Sequence, residues 1–154
     1  MKYGEQLALA HAFAEKLVQR IDRANLPDYL LPMPLHPAKL RKRGFNQSLL
    51  IAAKIARKLD LELLPYACQR TRDTPSQSAL PWKERNRNVR NAFRCDMDMT
   101  GKRVALVDDV LTTGASLNAL AEAVKKRGAS EVYAWVAART LPRSDYVGAR
   151  FIGR

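Results

Sequence analysis

Apolar residues at Leu7, Ala10, Ala14, Leu17 and Ile21 recur at helical spacing, so residues 4–22 predict an amphipathic helix with one buried stripe. Asn25, Pro27 and Asp28 break that pattern. The apolar run over residues 29–34, closed by prolines, predicts a buried strand leaving into a loop. The basic segment 35–44 shows no sustained period and is expected to be irregular through most of its length. Asn46 suits a helix cap, and Leu49, Ala53, Ala56 and Leu59 predict the inner face of the helix behind it. A second strand is predicted over residues 61–68, interrupted by Pro65.

Residues 70–88 break the pattern with two prolines, Ser and Thr clusters and many Arg and Asn side chains. They predict a long flexible loop ending in a short helix near residues 82–89, and a loop of that length inside one domain is usually functional. Residues 92–99 suit an edge strand. Residues 103–109, apolar on both faces, predict a central strand. A helix is expected from about Ala115, with Leu117, Leu120, Ala121 and Val124 inward and Gly128 as its stop. Residues 131–138 then predict another strand. Strand, helix and strand at this spacing predict a right-handed crossover in a parallel sheet. The fold class is α/β: an open, mostly parallel twisted sheet with helices on both faces, as a single domain over residues 1–154.

Composition narrows the partners. The 154 residues are 47% hydrophobic, enough for one core, and carry a formal net charge of +12. That balance favours an anion: nucleic acid, an acidic membrane surface or a phosphorylated metabolite. Lys39, Arg41, Lys42 and Arg43 form one basic group; Arg70, Arg72, Lys83, Arg85, Arg87, Arg90 and Arg94 form another. A solvated surface is the plain alternative for both. Cys68 and Cys95 lack metal-ligand spacing and suit idle thiols in a reducing compartment. No signal peptide opens the chain, and no apolar run approaches the ~20 residues that span a bilayer, so a cytoplasmic protein is expected.

The stretch "VALVDDVLTTGAS", residues 104–116, carries the chemistry. Ligands of open parallel sheets bind beyond the carboxyl ends of the strands. Asp108 and Asp109 fall at such an end. Thr112, Thr113, Gly114, Ala115 and Ser116 lead into a helix N-terminus, whose free N–H groups and dipole favour an anion. One end of the stretch attracts a phosphate while the other repels it. A ribose 5-phosphate fits both, with its phosphate in the turn and its hydroxyls donating to the carboxylates. Adjacent strand residues face opposite ways, so both aspartates reach one sugar only if the strand has ended at Asp108.

This stretch resembles the phosphoribosyl pyrophosphate (PRPP) motif of type I phosphoribosyltransferases. No GxxxxGK[ST] is present, which argues against a P-loop nucleotidase. With "PMPLHPAKLRKRGFNQSLLIA" and "QRTRDTPSQSALPWKERNRNVRNAF", the chain further resembles the ComF/GntX group of phosphoribosyltransferase-like proteins, over about residues 3–140. That resemblance implies a PRPP-binding protein associated with DNA uptake, competence or use of external DNA. It implies transfer of a phosphoribosyl group with loss of pyrophosphate, and Mg²⁺ carried by PRPP rather than held in a protein cage. Many ComF-type proteins carry a four-cysteine zinc ribbon ahead of this domain; this chain opens about where such a ribbon would end, so no zinc site is carried over.

Under that reading Asp108 and Asp109 hold the ribose and are the candidate catalytic pair, and residues 112–116 hold the 5-phosphate. The loop after the first strand falls where such proteins bind pyrophosphate, with His36, Arg41 and Arg43 as candidates. Arg70, Arg72, Gln77 and Arg85 of the long loop are candidates to approach the pyrophosphate when that loop closes and excludes water. Thr74 and Asn88 also match the group's pattern. Trp82 reads as a packing anchor. The sequence names no acceptor nucleophile. The alternative is a PRPP-binding accessory protein with little transfer activity, bound to single-stranded DNA or the DNA-uptake machinery through its basic surface.

Overall fold

The computed structural model describes residues 2–74 and 81–140. Helix α1 (Lys2–Arg20) is followed by a 3-10 turn at Arg23–Asn25, capped by the Asp22 carboxylate on the Ala24 N–H. Strand β1 (Tyr29–Pro32) leads into α2 (Pro37–Arg43) and α3 (Gln47–Leu59). Two short strands follow, β2 (Glu62–Leu63) and β3 (Cys68–Arg70), then α4 (Trp82–Val89) and β4 (Phe93–Cys95). The chain then builds β5 (Arg103–Leu111), α5 (Ala115–Lys126) and β6 (Glu131–Arg139).

The main sheet is parallel, in the order β2-β1-β5-β6. Residues 104–107 of β5 alternate between its two covers. Ala105 and Val107 pack with Ala10, Ala14 and Val18 of α1 and Ile51 and Ile55 of α3. Val104 and Leu106 pack with Leu117, Leu120 and Val124 of α5, together with Val89, Phe93 and Met99. The predicted α/β class with helices on both faces therefore holds. No described helix is long and apolar enough to cross a membrane.

Several local expectations shift. The basic segment 35–44 is not irregular: His36 Nδ1 accepts the Ala38 N–H, Pro37 opens the first turn of α2, and Gly44 closes it at φ 85°. Cap, proline and glycine outweigh the missing apolar period. The run 61–68 is two strands, not one broken by Pro65; β2 joins the parallel sheet and β3 pairs antiparallel with β4. The expected edge strand at 92–99 shrinks to β4, in that separate two-stranded sheet. Helix α3 buries Ile51, Ala52, Ile55, Ala56 and Leu59, so its inner face is rotated away from the predicted Leu49 and Ala53. Cys68 and Cys95 stand opposite one another across the β3–β4 ladder as buried free thiols, and burial pushes the Cys68 thiol far above its ordinary range.

Candidate functional site

The strand order reverses direction between β1 and β5, since β2 lies beyond one and β6 beyond the other. Such a switch point opens a crevice at the carboxyl ends of the strands. The N-termini of α2, α3 and α5 follow β1 and β5 there.

The strand does not end at Asp108, as the sequence reading required. It runs on to Leu111, with Asp108 level with Val136 and Val110 level with Ala138. The alternation slips instead. Leu111, odd like Ala105 and Val107, packs with the opposite cluster, beside Val104 and Leu106. The slip falls across the aspartates and brings their carboxylates side by side. Asp108 Oδ1 accepts the Asp109 N–H at 2.9 Å and the Ser48 Oγ–H at 3.0 Å, while Asp109 Oδ1 accepts the Val110 N–H at 2.9 Å. Burial, and then the neighbouring Asp109 charge, push the Asp108 carboxyl up to about 7; the Ser48 hydrogen bond opposes them.

Ser48 was not singled out from the sequence. It sits in the first turn of α3, whose cap is Asn46: the Asn46 Oδ1 accepts the Ser48 and Leu49 N–H groups, and its Nδ2 donates to Met33 O. The predicted cap is thus in place, and it aims α3 at the aspartates. The position of Ser48 two residues after an Asn cap is the signal that was available.

The turn after β5 has the predicted form. Gly114, at φ 79°, begins α5 without a side-chain cap, and the Thr113 Oγ1 accepts the Ala115 N–H at 3.3 Å. Gly114 and Ala115 are buried, Thr113 and Ser116 half-buried, and Thr112 exposed.

The basic candidates divide. Arg41 and Arg43 lie exposed on α2, with Arg43 close enough to Lys39 to press its pKa down. His36 spends Nδ1 on the α2 cap. Arg72 donates to Arg90 O at 3.0 Å and stays exposed, pinning the two ends of the long loop together. Arg85 falls on α4, and Gln77 lies outside the described residues. Arg70 turns inward. It is 9% exposed, its guanidinium carbon stands 5.3 Å from the Phe93 ring centre, and it donates to the buried Thr74 Oγ1. Among the described residues its Nε is buried without a partner. Burial lowers its pKa, and the Asp73 and Asp108 charges hold it up.

Lys39 is the residue that sequence reading passed over within its basic group. Its Nζ donates to Thr74 O at 2.7 Å and lies 3.9 Å from Asp73. Burial, and then the charge of Arg70, lower its pKa. Two cations held together at the edge of the crevice, one with an unused donor, form a place for a multiply charged anion.

The chain has relatives in sequence and in fold. The phosphoribosyl transferase domain family matches residues 46–145. The chain is 33% identical over 147 residues to the DNA utilization protein YhgH of Escherichia coli, covering 92% of this chain and 65% of that protein. It is 36% identical over 124 residues to competence protein F of Haemophilus influenzae, covering 79% of this chain and 54% of that protein. The chain thus spans roughly half to two thirds of the length of these relatives. In fold it is similar to a purine phosphoribosyltransferase from Pyrococcus horikoshii (TM-score 0.50, 23% identity, 88% of this chain and 83% of that one). It is also similar to the glutamine PRPP amidotransferase of Bacillus subtilis (TM-score 0.53, 21% identity, 83% of this chain and 26% of that one). By its strand order, its acidic pair and this match, the chain belongs to the phosphoribosyl transferase domain family.

Proposed function

We propose that this chain binds PRPP in the crevice between β1 and β5 and acts as a phosphoribosyltransferase-like protein in a cytoplasmic, DNA-utilisation or competence setting. The observation that carries the reading is the half-buried acidic pair flanked by the N-terminus of α5 and by paired cations. Each matches one part of PRPP. The ribose hydroxyls donate to Asp108 and Asp109. The 5-phosphate takes the N–H groups and hydroxyls of residues 112–116. The pyrophosphate lies toward Lys39 and Arg70, with Arg43 beside them.

Breaking the C1–O bond builds negative charge on departing pyrophosphate and positive charge on the sugar. Arg70 and Lys39 stabilise the first, and the ionised Asp108–Asp109 pair the second. Both groups are fixed by neighbours before the ligand arrives: Asp108 by Ser48, Arg70 by Thr74 and Phe93. Among the described residues no cluster of three or more His, Cys, Asp or Glu side chains converges on one point. The Asp108 and Asp109 carboxylates are hard oxygen donors that would suit Mg²⁺ carried by the oxygens of PRPP. Bound there, the ion would neutralise charge developing on the pyrophosphate.

The exposed basic face of α2 supports a second reading, in which PRPP binding regulates contact with single-stranded DNA. A thermal-shift titration tests the first reading. PRPP with Mg²⁺ is expected to raise Tm with concentration, as any ligand of the native state does, and ribose 5-phosphate to raise it less. An unchanged Tm would remove the proposal. DNA binding that survives saturation with PRPP would separate the two activities.

A further inference from the structure

Strands β3 and β4 form a sheet of their own, in which Cys68 stands opposite Cys95 and Arg70 opposite Phe93. The Asp96 N–H donates to Ala67 O at 3.1 Å, and the Thr71 N–H to Ala92 O at 2.8 Å. These bonds flank the facing residues from outside, which makes Cys68–Cys95 and Arg70–Phe93 non-hydrogen-bonded pairs of the ladder. In such a pair the Cα atoms stand about 4.5 Å apart and the side chains meet on one face. A disulfide spans Cα separations of roughly 4.4–6.8 Å, so this pair is bridged with little movement of the backbone. Both thiols are free and buried, and they are the two cysteines of the chain. Burial, and then a hydrogen bond with Cys95, hold the Cys68 thiol protonated, so the two sulfurs are already in contact.

We propose that Cys68 and Cys95 are a reversible redox pair, oxidised to an intramolecular disulfide by a low-molecular-weight disulfide such as oxidised glutathione. One cysteine thiolate attacks the oxidant, forms a mixed disulfide and expels one thiolate. The second cysteine then attacks the protein sulfur of that bond and expels the other. Two protein S–H bonds and the oxidant S–S bond become one protein S–S bond and two S–H bonds. Two electrons pass from the cysteine sulfurs to the oxidant, and two protons to the released thiols. Both sulfurs are closed off from solvent in the ladder, so the reaction waits on opening of the hairpin. That hairpin has three residues to a strand and, among the described residues, no strand pairing with the main sheet. Once formed, the bond closes a loop over residues 69–94, which holds the long basic segment and α4. It also fixes the strand spacing beside Arg70 and Phe93, the next pair on the same buried face. Oxidation thus tightens the hold on one of the two cations at the edge of the crevice.

Thiol counting, mass spectrometry and thermal unfolding test this. The folded chain is incubated with excess oxidised glutathione until its thiol count is constant, and a second sample is refolded from urea in the same oxidant, where burial protects neither thiol. Both samples are expected to lose both thiols and the mass of two hydrogen atoms, and to remain single chains. Tm of the oxidised chain is expected to rise by about 5 °C or more, and dithiothreitol to reverse the change. Cys95→Ser removes the partner sulfur and is expected to gain no Tm from the same treatment. A folded chain that keeps its thiols overturns the proposal. So does a refolded chain whose disulfide lowers Tm or links two chains, since the ladder would then not match the bond.

Discussion

The Ser48 hydroxyl donates to Asp108 Oδ1 at 3.0 Å, joining the first turn of α3 to the carboxyl end of β5. Through this bond a helix cap sixty residues away fixes the acid that the proposed ligand must meet. Ser48 is 4% exposed, so water does not replace the bond when it is lost. Ser48→Ala is expected to destabilise the unliganded fold by about 1 kcal/mol and to raise the Asp108 pKa further. A chemical denaturation curve checks the first, and carboxyl-carbon NMR titration the second.

Asp108 titrates at about 7 against an ordinary 3.8. The folded chain holds this proton more tightly than the unfolded chain. The stabilisation it gives is complete below the ordinary value and is lost as pH rises through about 7. Tm of the unliganded chain is therefore expected to fall between about pH 5 and pH 8, and Asp108→Asn to flatten that fall, since the amide keeps an acceptor for Ser48 and carries no buried charge. A fall of equal steepness in the variant would show that Asp108 is not its source.

The same acid couples binding to protons. Ribose hydroxyls and Mg²⁺ both favour the ionised pair, so PRPP binding near pH 7 is expected to release part of a proton. Calorimetry in two buffers of different ionisation enthalpy measures it. Proton uptake, or no exchange, would contradict an ionised pair in the complex.

Gly114 holds φ 79° at the start of α5. An added Cβ would meet only Leu111 Cδ1 at 3.6 Å, an ordinary contact. The obstacle is the backbone angle, not space. Gly114→Val is expected to cost about 1–3 kcal/mol of stability while removing PRPP binding, because the turn must move to relieve the angle. Retained affinity would show that the turn does not cradle the 5-phosphate.

Burial, and then the nearby Arg70 charge, lower the Lys39 pKa, so the two cations repel. Lys39→Met relieves that repulsion, so the unliganded protein is expected to lose little stability. PRPP affinity is expected to fall about tenfold, or 1.4 kcal/mol, with ribose 5-phosphate affinity unchanged. Equal losses for both ligands would move Lys39 out of the pyrophosphate position.

Long elements with a clear period were legible in the sequence: α1, β5, α5 and β6 fall close to their expected places. The acidic pair and the Thr-Gly turn were legible too, because strand, carboxylates and turn are contiguous. What failed depended on contacts between distant segments. The inward turn of Lys39 and Arg70 needs Thr74, Asp73 and Phe93 around them, and no local pattern shows which arginine of a basic run will be buried. Strand β3 leaves the parallel sheet to pair with β4, twenty-odd residues on, for the same reason. The slip that sets Asp108 beside Asp109 is a feature of strand twist and packing, and period-2 reasoning predicts its opposite.

The measurement that bears most directly on the proposed site is a calorimetric titration of PRPP and Mg²⁺ into the wild-type chain and into Asp108→Asn/Asp109→Asn. Removing both charges leaves the α5 turn, Lys39 and Arg70 in place. The account predicts measurable binding by the wild type and at least a tenfold loss in the variant, about 1.4 kcal/mol or more. Equal affinity in the two proteins would contradict it.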